Sequence, residues 1–255
     1  MAGEPDLLYY NTMNRRHLLA SLAASTLVPP SIALAAEWDT RLITSSNSED
    51  LIYGLHIKLA TSWKTYWRVP GVAGIPPQLK LEGPDIESFA VDFPLPIRTT
   101  DESGDAIGYH DEVVFILRPK LKADAKPAPL DGKVSAFFGV CQKICRPAKF
   151  AANLSTAVKD DNLIQKYLER VPKVSAFAKR ATQKADQLEI ELDQTVQDIF
   201  VEGPEGLYFR KPTFGLGSAK LKIDGLTVNQ KIQAKELRIT AVVDGTGLEQ
   251  MVIVN

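Results

Sequence analysis

Two cysteines, Cys141 and Cys145, stand four residues apart in FFGVCQKICRPAKF, the stretch from Phe137 to Phe150, and the 255-residue chain has no others. Thiols at that spacing can close a short disulfide, exchange that disulfide with a partner's thiols, or bind a soft metal ion. As a staple the bridge returns little. Closing a loop of about five residues is worth roughly 2 kcal/mol, near the low end for disulfides. As an exchange site the short loop has a use, because a bond held under strain is more easily reduced. Lys143 and Arg146 flank the pair, and positive charge favours the thiolate, which is the attacking species. Pro147 pushes Arg146 toward extended geometry and fixes the chain just past the second sulfur. As a metal site, the two thiolates with His56 or His110 could hold Cu(I), although a lone histidine on a strand is more often no ligand.

Which chemistry applies depends on the compartment, and the N-terminus speaks to that. From Met13, a basic pair (Arg15, Arg16) is followed by an apolar, Ala- and Ser-rich stretch from Leu18 to Leu34, then by Ala33 and Ala35 in an A-x-A pattern. This is the layout of a secretory leader. Pro29 and Pro30 interrupt the stretch, which argues against a membrane anchor, and the paired arginines hint at a twin-arginine route. Residues 1–36 are expected to be an N-terminal extension and removed signal peptide, with the first twelve an over-long start. No later run is long and apolar enough to span a bilayer. The mature chain is expected to be exported, with no stable membrane insertion. Outside the cytoplasm an even cysteine count suggests a disulfide. A net charge of −1 gives no electrostatic case for binding nucleic acid.

The elements that must position the cysteines read as strands. From Trp38 to about Ala157 short alternating or apolar runs, such as LIYGLHIKLA, EVVFILRP and KVSAFFGV, are divided by Gly and Pro. That spacing suggests an antiparallel β-sandwich over 37–157, and no strand–helix–strand unit of a thioredoxin fold is visible. Residues 158–186 are rich in Lys and Ala with helical periodicity at Leu163, Ile164, Tyr167 and Leu168. Asp160 or Asp161 could cap the helix start, and Pro172 should end or kink it. The segment reads as a helical linker or, equally, as part of the first domain's packing. From 187 to 255 seven short strands return, with glycines in the turns. The expected fold is therefore all-β, two immunoglobulin-like sandwiches joined by a short helical linker. The second half has no cysteine or histidine, its acidic residues do not pair convincingly, and it reads as a scaffold or docking module.

Two further stretches stand out. TSWKTYWRVPGVAGIPPQL crowds Trp63, Tyr66 and Trp67 ahead of a Pro/Gly-rich loop. Trp63 and Trp67 share a strand-face parity that favours core packing. TTDESGDAIGYHDEVVF reads as an acidic, flexible loop ending in Tyr109, His110 and Asp111.

SWKTYWRVPGVAGIPP, IGYHDEVVF and FGVCQKICRPA, in that order, resemble the periplasmic N-terminal domain of the thiol:disulfide interchange protein DsbD family. The likeness is greatest to the branch that includes the copper-tolerance protein ScsB. IFVEGPEGLYFRKPTF resembles the second β domain of ScsB-type proteins. The resemblance covers most of the mature chain. It implies a thiol–disulfide oxidoreductase of the protein-disulfide reductase type, without a cofactor, that takes electrons from a membrane-embedded donor and passes them to periplasmic thioredoxin-like proteins. Cys141 and Cys145 would be the redox pair, with Cys145 forming the mixed disulfide. Asp101–Asp111 would be a cap over it, with Tyr109 the shielding side chain. Tyr66, Trp63, Trp67, His110 and Asp111 would complete the docking surface. Full-length relatives would continue into a membrane domain, which is not expected here, so the donor is expected to be separately encoded. Its CxxxC spacing departs from the wider spacing of the best-known DsbD proteins. A Cu(I)-binding protein and an assembly module with a structural bridge remain the alternatives.

Overall fold

The computed structural model describes residues 36–46, 51–72, 74–101, 104–125 and 130–255. The expected leader, apart from Ala36, and residues 102–103 of the expected cap lie outside them. The first half runs β1 (Trp38–Thr44), β2 (Tyr53–Leu59), β3 (Lys64–Tyr66), β4 (Gln78–Glu82), β5 (Ile86–Asp92), β6 (Ile97–Asp101), β7 (Gly104–His110), β8 (Glu112–Leu121), β9 (Lys133–Cys141), β10 (Cys145–Asn153), β11 (Val158–Lys159), α1 (Asp161–Leu168) and β12 (Lys173–Val174). Then come β13 (Ala178–Lys184), β14 (Gln187–Leu192), β15 (Asp198–Glu202), β16 (Tyr208–Phe209), β17 (Thr213–Gly215), β18 (Ser218–Asp224), β19 (Glu236–Val243) and β20 (Thr246–Ile253). Among the described residues no helix is long and apolar enough to cross a membrane.

Two pairs of sheets form. The first pair is β11-β1-β2-β8-β5 and β10-β9-β3-β7-β6, with β4 also on β9. Its core takes Leu55 and Ile57 from one sheet and Phe138 and Val140 from the other. The second pair is β12-β20-β19-β15 and β13-β14-β18-β16, with β17 also on β18, around a separate core of residues such as Leu188, Ile190, Leu221 and Ile239. Apart from α1 and one 3₁₀ turn, the described chain is all-β, in the manner of immunoglobulin-like sandwiches.

The central strand β8 explains the helix. Val113 to Leu117 are all buried, although alternation should send every second side chain outward. Helix α1 covers that outer face, its Ile164 and Tyr167 joining the first core. Asp160 caps the helix by accepting a hydrogen bond from the backbone N–H of Leu163 at 3.2 Å. The segment is thus part of the first sandwich's packing. The helical expectation for 158–186 fails beyond Leu168. Ala178–Lys184 is a strand paired along β14, and Phe177, Ala178 and Ala181 belong to the second core, ahead of the expected boundary at 187. Lys- and Ala-rich composition favours helix, but ladder hydrogen bonds to β14 and burial of the two alanines override it.

A polar cluster ties α1 down and gives the fold a pH dependence. Arg41 Nε donates to Nδ1 of the buried His56 at 3.0 Å, so His56 Nε2 carries the proton and faces Glu112 Oε2 at 3.1 Å. Glu112 Oε1 accepts from Lys166 Nζ at 2.6 Å. Burial lowers the His56 pKa below its usual 6.5, with Arg41 adding to the shift and Glu112 opposing it. A histidine held neutral contributes stability that is full above the unfolded pKa and is lost as pH falls through 6.5 toward the folded value. The urea midpoint should therefore drop between about pH 7.5 and about pH 5.5, and His56→Gln should flatten that slope. An equal slope in the variant would assign the pH dependence elsewhere.

Candidate functional site

The cysteines sit where strands β9 and β10 meet. The two strands pair without a break from Asn153↔Lys133 to Cys145↔Cys141, and the last pair is closed by a disulfide with its Cα atoms 4.2 Å apart. Gln142, Lys143 and Ile144 make the exposed turn inside the bridge. The two cysteines are unequal. Cys141 is 1% exposed, whereas Cys145 is exposed to solvent. Ile144, between them, is 76% exposed and offers an apolar contact beside the reachable sulfur.

Strand parity decides what lies over the bridge. Strand β3 sits between β9 and β7, pairing Lys64 with both Cys141 and His110, and Thr65 with both Val140 and Tyr109. Successive side chains alternate faces. Thr65, Val140 and Tyr109 therefore face the core, while Lys64, Tyr66, Cys141 and His110 face the other side. Tyr66 is 3% exposed and packs with Cys141 and Ala106 of β7. Its hydroxyl lies 2.8 Å from Cys141 Sγ and 3.0 Å from Cys145 Sγ. Disulfide sulfurs carry no proton, so the hydroxyl donates.

Two glycines make the slot for this ring. A Cβ on Gly139 would stand 3.1 Å from Tyr66 Cδ2, and one on Gly74 would stand 2.7 Å from Tyr66 Cδ1. A side chain at 74 would also meet Pro70 Cβ at 2.3 Å, so the wall of the slot would have to shift. Thr65 Oγ1 donates to Gly139 O at 2.8 Å and pins this approach.

The expected shield is thus the wrong tyrosine. Tyr109 is buried in the first core, edge-on to Phe115, and its hydroxyl donates to Pro94 O at 2.8 Å. One step of register separates it from the sulfurs' face. Of the expected cap, Ala106 is what reaches the Cys141–Tyr66 cluster. Trp63 and Trp67 are buried, as their parity implied, so neither is an open docking surface. His110 is half-buried, with Nδ1 at 3.2 Å from Trp63 O. Asp111 is exposed at a turn with φ 62°, and its backbone oxygen accepts from Leu59 N–H. Arg146 is ion-paired with Glu37 and lies 5.5 Å from the Trp63 ring centre, so part of its charge is spent away from the sulfurs.

The copper reading finds little here. His56 lies on the other sheet, engaged by Arg41 and Glu112. His110 is separated from Cys141 by the whole of β3, about 10 Å at two strand spacings. Among the described residues no group of three His, Cys, Asp or Glu could hold a metal ion.

Residues 33–153 match the family model for the N-terminal domain of the thiol:disulfide interchange protein DsbD. This segment is similar to the N-terminal domain of that family. The Cys141–Cys145 disulfide lies within it. Among solved structures, the N-terminal periplasmic domain of ScsB from Proteus mirabilis aligns with a TM-score of 0.71 and 21% identity, over 86% of this chain and 94% of that one. That likeness shows a shared fold extending through both sandwiches. The Pseudomonas aeruginosa CupB2 chaperone aligns over 85% of this chain and 98% of its own at 9% identity, but a TM-score of 0.24 carries no weight. No curated protein matches the chain.

From beyond the matched segment, the second sandwich reaches the chain just past Tyr66. Arg68 Nε donates to Glu202 at 2.6 Å, and Arg68 also donates to Glu249 at 2.5 Å. Glu202 and Glu249, which also lie 3.8 Å from the nearby Arg238, and Asp198 thus take partners, Arg68 and Arg98, from far upstream. Nothing local in the sequence carries that signal.

Proposed function

We propose that this chain is a periplasmic thiol–disulfide interchange module that works through Cys145 first and Cys141 second. One observation carries the reading. The chain's disulfide closes a hairpin already held by a long ladder, yet it leaves one cysteine exposed and sets a hydroxyl donor against both sulfurs. A staple needs neither feature.

The exchange balances as follows. A partner's thiolate attacks Cys145 Sγ, the partner–Cys145 bond forms, the Cys141–Cys145 bond breaks, and Cys141 leaves as a thiolate. A second partner thiol, deprotonated, attacks the mixed disulfide. It leaves with its own disulfide closed, and Cys145 is released reduced. Two electrons and two protons have then entered this chain. The same steps in reverse reduce a client: the Cys145 thiolate attacks the client's disulfide and Cys141 resolves the mixed species. The partners that fit the family are a thioredoxin-like protein on one side and a membrane-embedded donor on the other. No cofactor takes part.

Equilibration against glutathione or dithiothreitol buffers tests this. The Cys141–Cys145 pair is expected to titrate well above about −300 mV, in the range of exchangeable pairs. The reduced protein should stay folded and lose no more than about 2 kcal/mol, the loop-closure value for so short a ring. A potential below that line would make the bridge structural.

A further inference from the structure

The bridge's rate and potential should depend on how firmly Tyr66 is held, and the contacts that hold it do not all come from its own domain. Strand β3 ends at Tyr66. The chain then runs through Trp67, Arg68 and Pro70 to Gly74, which walls the Tyr66 ring. Trp67 is completely buried, its backbone N–H donating to Ile107 O at 3.0 Å and its ring 5.8 Å from Phe200. Arg68, its side chain 15% exposed, stacks 4.3 Å from the Trp67 ring centre and forks between Glu202 and Glu249.

A second arginine does the same from the strand beside β7. Arg98 on β6, its side chain 6% exposed, pairs with Asp198 at 3.2 Å and donates to Ile199 O at 2.9 Å. Its guanidinium carbon lies 5.1 Å from the Phe200 ring centre. Strand β6 pairs with β7, whose Ala106 closes the other side of the Tyr66–Cys141 cluster.

The residues that receive both arginines share one strand face. Asp198, Phe200 and Glu202 alternate along β15, while the intervening Ile199 and Val201 belong to the second core. Phe200 belongs instead to the first core. The stretch DIFVE therefore serves two cores, and its outward face is an acid–aromatic–acid socket for Arg68 and Arg98.

We infer that the second sandwich is a brace for the exchange site. The Asp198–Phe200–Glu202 face, with Glu249 of β20, holds Arg68 and Arg98 so that the Tyr66 hydroxyl stays on the two sulfurs. Arg68 is the principal positioning residue. The consequence for catalysis rests on the exchange reading above, but the contact itself is tested separately. A largely buried arginine fork matters because its planar donors fix direction as well as charge, which a lysine cannot reproduce.

The test is a double-mutant cycle on the full chain. Dithiothreitol reduction of the disulfide is timed in wild type, Arg68→Lys, Glu202→Ala/Glu249→Ala, Tyr66→Phe and each combination with Tyr66→Phe. Thermal unfolding verifies folding, and Arg68→Lys serves as the milder variant should the double alanine fail to fold. With Tyr66 present, loosening the brace is expected to slow reduction about fivefold or more, short of the full loss of a hydrogen bond to a charged sulfur. In the Tyr66→Phe background, the same changes should alter the rate less than about twofold, the limit of additivity. Equal slowing in both backgrounds, or none in either, overturns the inference. The wild-type potential reports on the exchange reading alone, so a structural potential with an intact cycle would sink that reading and leave the brace standing.

Discussion

Cys141→Ser should accumulate a covalent complex with a thioredoxin-like partner, and Cys145→Ser should accumulate none. The asymmetry follows from burial. Nucleophilic attack on a disulfide needs a clear approach to one sulfur, and the sulfur that leaves departs most readily where negative charge is stabilised. Cys145 is exposed and Cys141 is buried against the Tyr66 hydroxyl. A serine at 141 keeps Cys145 available but removes the group that would resolve the mixed disulfide. The trapped species should survive non-reducing electrophoresis and vanish with dithiothreitol. A serine at 145 leaves a thiol that a folded partner cannot reach. The difference is between stoichiometric trapping and background. Equal trapping by both variants would mean that the hairpin turn Gln142–Ile144 moves aside on docking, and the order of attack would have to be abandoned.

Much of this architecture is legible in the chain. Alternating runs imply two β-sandwiches, and the leucine and isoleucine spacing implies the helix. The cysteine pair stands out because nothing else in the chain competes with it for redox chemistry. The misreadings have particular causes. Ala178–Lys184 looks helical by composition, and only its pairing with β14 makes it a strand. The family resemblance points to Tyr109 as the shield at the end of an expected loop, yet Gly104–His110 is a strand whose parity turns that ring inward. The information that corrects this is present in SWKTYW: if Trp63 and Trp67 face the core, then Tyr66 must face the sulfurs' side. What sequence cannot reveal is the brace. Arg68 and Glu249 are 181 positions apart, and no local pattern ties a guanidinium to a carboxylate over that distance.

Tyr66→Phe should slow exchange about ten- to a hundredfold while leaving the fold intact. The ring stays, so the slot between Gly74 and Gly139 remains filled and no cavity opens. What goes is one O–H donor, 2.8 Å from the sulfur that must leave. In the oxidised ground state that donor faces a neutral sulfur and gains little. As the bond breaks, charge develops on Cys141, and a hydrogen bond to a charged group is worth about 1.5–3 kcal/mol. At about 1.4 kcal/mol per factor of ten, this sets the expected loss. Stopped-flow reduction by dithiothreitol at one fixed pH, where the reductant's thiolate fraction is the same for both proteins, measures the loss. A donor that acts on the developing charge predicts a slower rate. A Tyr66 that only fills space predicts no change, because phenylalanine fills the space equally well. An unchanged rate would leave the bridge exposed on one side and unassisted on the other, and the exchange chemistry would then have to come wholly from the partner.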